Sequence, residues 1–129
     1  MSSQVLNILG RVLIAALFIP AGLSKITGFE GTVDYIASQG LPLPTVAAIL
    51  AIVVEVGVAA ALLFNVKTYW AALILAVFCI VSALGFHQFW AAPAEMAQMQ
   101  QINFFKNLAI AGGLFLLAAN SCTTVRASK

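Results

Sequence analysis

Charge is scarce in this sequence. Only 8% of its 129 residues are Asp, Glu, Lys or Arg, against roughly 25% in an ordinary soluble domain. Too few polar side chains exist to cover a water-facing surface, so lipid must be the solvent for most of the chain. Histidine is nearly absent, with one residue, His87. That excludes a haem held by two histidines, and with a single Glu in an apolar run it leaves no three- or four-ligand metal set. The two cysteines, Cys79 and Cys122, stand far apart and form no C-x-x-C pair, so both read as passive small hydrophobes. There is no basic cluster to follow a phosphate backbone, which excludes nucleic acid as a partner. A glycine-rich nucleotide loop, a Ser–His–Asp set and a close carboxylate pair are also missing.

Hydrophobic side chains, at 63%, fill the space. They gather in four runs, at about residues 5–24, 45–65, 69–90 and 104–120. Each is close to the ~20 residues that cross a bilayer core as a helix. The N-terminal run lacks the basic residues that open a signal peptide, so it reads as a retained helix. The expected fold is therefore all-α: an antiparallel bundle of four transmembrane helices forming a single domain over residues 1–129. The turn at Val66-Lys67-Thr68 is short and forces the second and third helices into antiparallel neighbours. Arg11, Lys67, Arg126 and Lys129 fall on one side, against Lys25 and Lys106 on the other, which favours both termini in the cytoplasm. The first outer loop carries a short amphipathic helix over residues 32–38, with Val33 and Ile36 toward the membrane and Asp34 toward water. The second outer loop, residues 91–103, reads as a short surface helix.

Polar residues inside membrane helices are costly, so their positions carry the functional signal. At 100° per residue, Asn7, Arg11, Phe18, Gly22 and Lys25 share one stripe of the first helix. Glu55 stands near the middle of the second, on a stripe with Ala48, Ala51, Ile52, Ala59 and Leu62. A carboxylate at that depth needs a proton or a cation. Arg11, offset by roughly 6 Å of rise, is the expected partner in a buried charge pair. His87 lies at the outer end of the third helix, and Lys106 and Asn107 open the fourth. If the stripes converge, Lys25, His87, Lys106 and Asn107 make a polar site near the outer surface, with Arg11 and Glu55 beneath it. The structural alternative for the same residues is register locking between helices, with the lysines snorkelling to the interface.

Several stretches match a known pattern. They are Gly10-Arg-Val-Leu-Ile-Ala-Ala-Leu-Phe-Ile-Pro-Ala-Gly-Leu-Ser-Lys25, Gly31-Thr-Val-Asp-Tyr-Ile-Ala-Ser-Gln-Gly-Leu-Pro-Leu-Pro44, Glu55 in its apolar setting, Phe86-His-Gln-Phe-Trp90 and Gln101-Ile-Asn-Phe-Phe-Lys-Asn-Leu-Ala-Ile-Ala-Gly-Gly113. On these the chain resembles the DoxX family of small four-helix membrane proteins, in its bacterial inner-membrane branch. The resemblance implies a multi-pass plasma-membrane protein and a redox association, with motif positions at Arg11, Gly22, Lys25, Glu55, His87, Lys106 and Asn107. The resulting expectation is a redox-associated subunit with an outward-facing pocket for a quinone-like or small anionic ligand, built from Lys25, Glu55, His87, Lys106 and Asn107. It has no intrinsic cofactor; a quinone is the carrier it would use. Its expected partners are the lipid bilayer and either a second copy or a membrane or redox protein. The alternative is a non-catalytic scaffold or chaperone for a partner, and a small transporter is disfavoured because no inverted repeat or broken helix is evident.

Overall fold

The computed structural model describes residues 1–127, with side chains as far as Cys122. Among the described residues it is helical with no strand, and four helices are long and apolar enough to cross a membrane. These are α1 (Ser3–Thr27), α3 (Pro44–Leu63), α4 (Thr68–Phe86) and α5 (Ala94–Ala127); a shorter helix, α2 (Phe29–Ser38), lies between the first two. The helix expected at 32–38 starts three residues sooner, at Phe29. Its Ile36 is buried, while Glu30 and Asp34 are exposed. The side chain of Arg126, and the whole of Lys129, lie outside the described residues, so the charge bias behind the expected orientation rests there on the sequence.

The exposed surfaces confirm the solvent. Leu13, Leu17, Leu50, Val81 and Leu116 are all half-exposed or more, each on a membrane-length helix. Large apolar side chains exposed in such numbers along membrane-length helices are stable only against lipid. The buried positions are small by contrast: Ala15 and Gly22 in α1, Ala48, Ala51 and Ala59 in α3, Ala72, Ala76 and Ala83 in α4, Ala111 and Ala118 in α5. Lipid tails are as apolar as leucine, so burial alone does not hold membrane helices together. Small residues let backbones approach until dispersion contacts do.

Two helix ends differ from the apolar runs. The third run suggests a helix to residue 90, but α4 stops at Phe86. The side-chain amide of Gln88 donates to the Leu84 carbonyl at 3.0 Å, taking the acceptor that its own N–H would use in a longer helix. His87 to Trp90 consequently lie in the connection. The last helix begins at Ala94 and not near 104, so the expected separate surface helix is its first turns. Residues 94–103 are mostly Ala, Glu, Met and Gln, good helix formers that a hydropathy reading passes over.

The chain divides into two compact units, Met1–Ala71 and the stretch from Ala72 onward. In the first, α1 packs along α3, and α2 packs on the start of α3. α3 is not uniform. Residues Val53–Val58 form a π-helical turn, closed by the Ala59 N–H to the Val54 carbonyl. Four of these six residues are valine and one is glycine, all weaker helix formers than the alanines and leucines around them. A π-turn widens the helix by one inserted residue, and such turns are frequent at functional sites. Glu55 stands within it.

Candidate functional site

Gly22 sets the geometry of the first unit. A Cβ there would sit 2.6 Å from Val56 Cγ2 and 2.9 Å from Glu55 Cβ. Only hydrogen fits, so the α1 backbone lies directly on the π-turn of α3. One turn further along the same face comes Lys25. Helix side chains lean toward the N-terminus, which carries the Lys25 stem back to the level of Gly22. Its Nζ donates to Glu55 Oε1 at 3.1 Å and lies 2.8 Å from Oε2. The Glu55 side chain is 8% exposed and that of Lys25 30% exposed. Lys25 therefore turns inward to the carboxylate, although as a lysine near a helix end it has the option of snorkelling to the interface.

The buried pair expected between Arg11 and Glu55 is replaced by this one. Arg11 donates through Nη1 to the Leu63 carbonyl at 3.2 Å, eight residues beyond Glu55 on α3. That is about 12 Å along the helix axis. The contact of Gly22 with Glu55 and Val56 fixes the register of α1 on α3, and no reading of the separate helices contains it. Arg11 has a different task. At the end of α3, Val66 N–H bonds Ala61 O, Asn65 N–H bonds Leu62 O, and Phe64 N–H bonds Ala60 O. With Asn65 left-handed at φ 61°, this is a Schellman ending. Among these last carbonyls it leaves Leu63 O for Arg11, whose positive charge also opposes the negative end of the helix dipole. Arg11→Gln is expected to destabilise the first unit by about 1.5–3 kcal/mol, as for a hydrogen bond to a charged group. Urea unfolding in mixed micelles measures it; an unchanged midpoint would remove the capping role.

The other sequence-derived candidates belong to the second unit. His87 Nδ1 lies 2.8 Å from Gln100 Oε1. An amide oxygen can only accept, so Nδ1 carries the proton and Nε2 is the nitrogen left for another contact. Phe89, Trp90 and Phe104 form an edge-to-face aromatic group in this region, with centroid separations of 5.2–5.7 Å. Asn107 spends its amide on the Asn103 carbonyl of its own helix at 3.0 Å. Lys106 is exposed, with no hydrogen bond or ion pair to another described residue. Gln100 is a participant that the sequence reading missed. It is thirteen residues from His87 across a loop and a helix start, and no periodicity links the two.

The DoxX family model matches residues 6–88, a stretch that includes Arg11, Gly22, Lys25, Glu55 and His87 and ends before Lys106 and Asn107. The chain is 37% identical over 114 residues to the inner membrane protein YphA of Escherichia coli (strain K12), covering 88% of this chain and 81% of that protein. It is 39% identical over 114 residues to the inner membrane protein YqjF of the same strain, covering 86% and 80%. No solved structure matches it.

Proposed function

We propose, from the premise that this chain belongs to the DoxX family, that it serves as a redox-associated subunit that binds a lipid-soluble, quinone-like or small anionic ligand at the Lys25–Glu55 pair. It is a multi-pass inner-membrane protein, and a ligand of either kind reaches such a site from the bilayer or from its surface. The observation that carries the reading is the pair itself. An ionised carboxylate within a membrane span is expensive, and a hydrophobic pair of the same size is often no less stable. Its presence inside a π-turn argues for use beyond packing.

The chemistry follows from exposure. Lys25 has three N–H donors, of which Glu55 Oε1 accepts one, and the charge of the ammonium lies 2.8 Å from Oε2. The ammonium is the more exposed partner, so an incoming acceptor meets Lys25 first. A quinone carbonyl or a sulfur oxyanion is such an acceptor. Glu55 holds the ammonium in place and keeps it from snorkelling away. His87, Lys106 and Asn107 belong to the second unit, and the reading rests on none of them.

The scaffold reading is favoured by a different observation, the close seat of Gly22 on Glu55 and Val56. In that reading the ion pair locks two helices and turns nothing over. Titration of a short-chain ubiquinone, and separately of thiosulfate, into purified protein in nanodiscs separates the two. Ligand binding predicts saturable one-to-one uptake of at least one of these, weakened roughly tenfold or more by Lys25→Met. Uptake of neither, with copurification of a defined membrane partner that survives Lys25→Met, would replace the ligand reading with the scaffold one.

A further inference from the structure

Arg11 raises a separate question. It lies eight residues into α1, about 12 Å along a helix of about 37 Å. That places its Cα inside the hydrocarbon region. Of its five N–H donors, one is used, by the Leu63 carbonyl. Its Nε is buried with no hydrogen-bond partner. Among the described residues no carboxylate pairs with it, since the one ion pair is Lys25–Glu55. The acids of α2, Glu30 and Asp34, follow the opposite end of α1. Lys67 is four residues beyond Leu63, exposed in the turn that follows α3. This end of the first unit therefore holds two cations and no acid.

Beside Arg11 lies a shallow apolar groove of about 300 Å³, open along its length and lined by Val12, Ala15, Ala16, Ile19, Pro20 and Leu63. Val12 and Ala15 flank Arg11 on α1, and Leu63 is its hydrogen-bond partner. Arg11 does not itself line the groove; it meets the groove's edge through the Leu63 carbonyl. The groove continues for about 12 Å along α1, from Val12 to Pro20. Two alanines make it hollow, and Pro20 interrupts the helix wall. A single hydrocarbon chain is of the right calibre.

We propose that this groove and the cations at its end hold one molecule of an anionic phospholipid. One acyl chain occupies the groove, and the phosphate sits at Arg11 with Lys67 beside it. Helix geometry supports the placement: the Arg11 side chain leans toward the N-terminus of α1 and so carries its charge toward the headgroup level. The phosphate supplies the anion that the protein does not. Basic sites between transmembrane helices that take anionic headgroups have the same logic. The site is independent of the Lys25–Glu55 pair, fourteen residues away on α1.

Native mass spectrometry of the full chain, released from micelles with equal amounts of phosphatidylglycerol and phosphatidylcholine, tests this. One phosphatidylglycerol per chain is expected, preferred roughly thirtyfold if Arg11 and Lys67 each contribute about 1 kcal/mol to holding the anionic headgroup. Lys67→Gln, in an exposed turn that does not hold the helices together, should cut the preference about fivefold. Ala16→Phe, an exposed position, should abolish retention of the lipid while thermal unfolding in lipid-free detergent stays near that of the parent. Inorganic phosphate should not displace the lipid. Equal retention of the two lipids, lipid retained at the parent level by Ala16→Phe, or displacement by phosphate alone would each overturn the proposal.

Discussion

Replacing Lys25 with methionine is expected to cost the folded protein about 3 kcal/mol in lipid or mixed micelles, near the low end of the roughly 3–5 kcal/mol seen when one partner of a buried ion pair is removed. Methionine keeps the length and the apolar stem, so packing along α1 survives. What is lost is the charge 2.8 Å from Glu55 Oε2 and the hydrogen bond to Oε1. The carboxylate stays behind, 8% exposed, pressed against Gly22 within the π-turn, with no other described cation paired to it. The low end applies because the lysine side chain is 30% exposed and already partly solvated. Lys25→Arg retains the charge and should recover much of the loss. Denaturant unfolding followed by tryptophan fluorescence reads both; a Lys25→Met protein as stable as the parent would show that the pair contributes nothing.

The second large effect is expected at Gly22. Gly22→Leu places a branched side chain where a Cβ alone would lie 2.6 Å from Val56 Cγ2, 2.9 Å from Glu55 Cβ and 3.2 Å from the Val56 backbone nitrogen. The valine methyl can rotate; the backbone nitrogen cannot move without the helix. α1 must therefore separate from α3, and the Lys25–Glu55 contact opens with it. A cost of about 3 kcal/mol or more is expected, at the upper end for overpacking a tight contact. Gly22→Ala should cost less than Gly22→Leu but remain destabilising, which distinguishes a steric limit from a preference for glycine flexibility. Exposed Gly31, with nothing within 4 Å of its Cβ position, is the matched control, and Gly31→Ala should be close to neutral. Equal tolerance at both glycines would refute the close approach.

Four membrane helices were legible from hydropathy because each run is long, apolar and bounded by turn residues. The ends were less so: residues 94–103 are polar helix formers that extend α5 beyond its apolar part, and the Gln88 amide ends α4 before its apolar run finishes. The stripe of α1 was legible too. Arg11, Phe18, Gly22 and Lys25 fall on one face at helical spacing, and all four are buried or half-buried. Asn7, placed on the same stripe, is exposed, because the stripe outlasts the contact with α3. Periodicity assigns residues to a face and says nothing of how two faces slide against each other. That sliding distance decided the partner of Glu55. The clue lay in the least conspicuous member of the stripe: Gly22 marks where backbones touch, so the cation within one turn of it was the better choice than Arg11. The π-turn left only an indirect trace, the valine-rich segment around Gly57.

A double-mutant cycle in the same micelles gives the most direct test that Lys25, and not Arg11, neutralises Glu55. Lys25→Met and Glu55→Gln should each destabilise, and the double variant should recover, giving a coupling of about 2 kcal/mol, within the range for residues in one ion pair. Arg11→Met combined with Glu55→Gln should be additive within about 0.5 kcal/mol, as for sites without a shared partner. Additivity for Lys25 with Glu55, together with strong coupling for Arg11 with Glu55, would contradict the register of α1 on α3 and with it the proposed site.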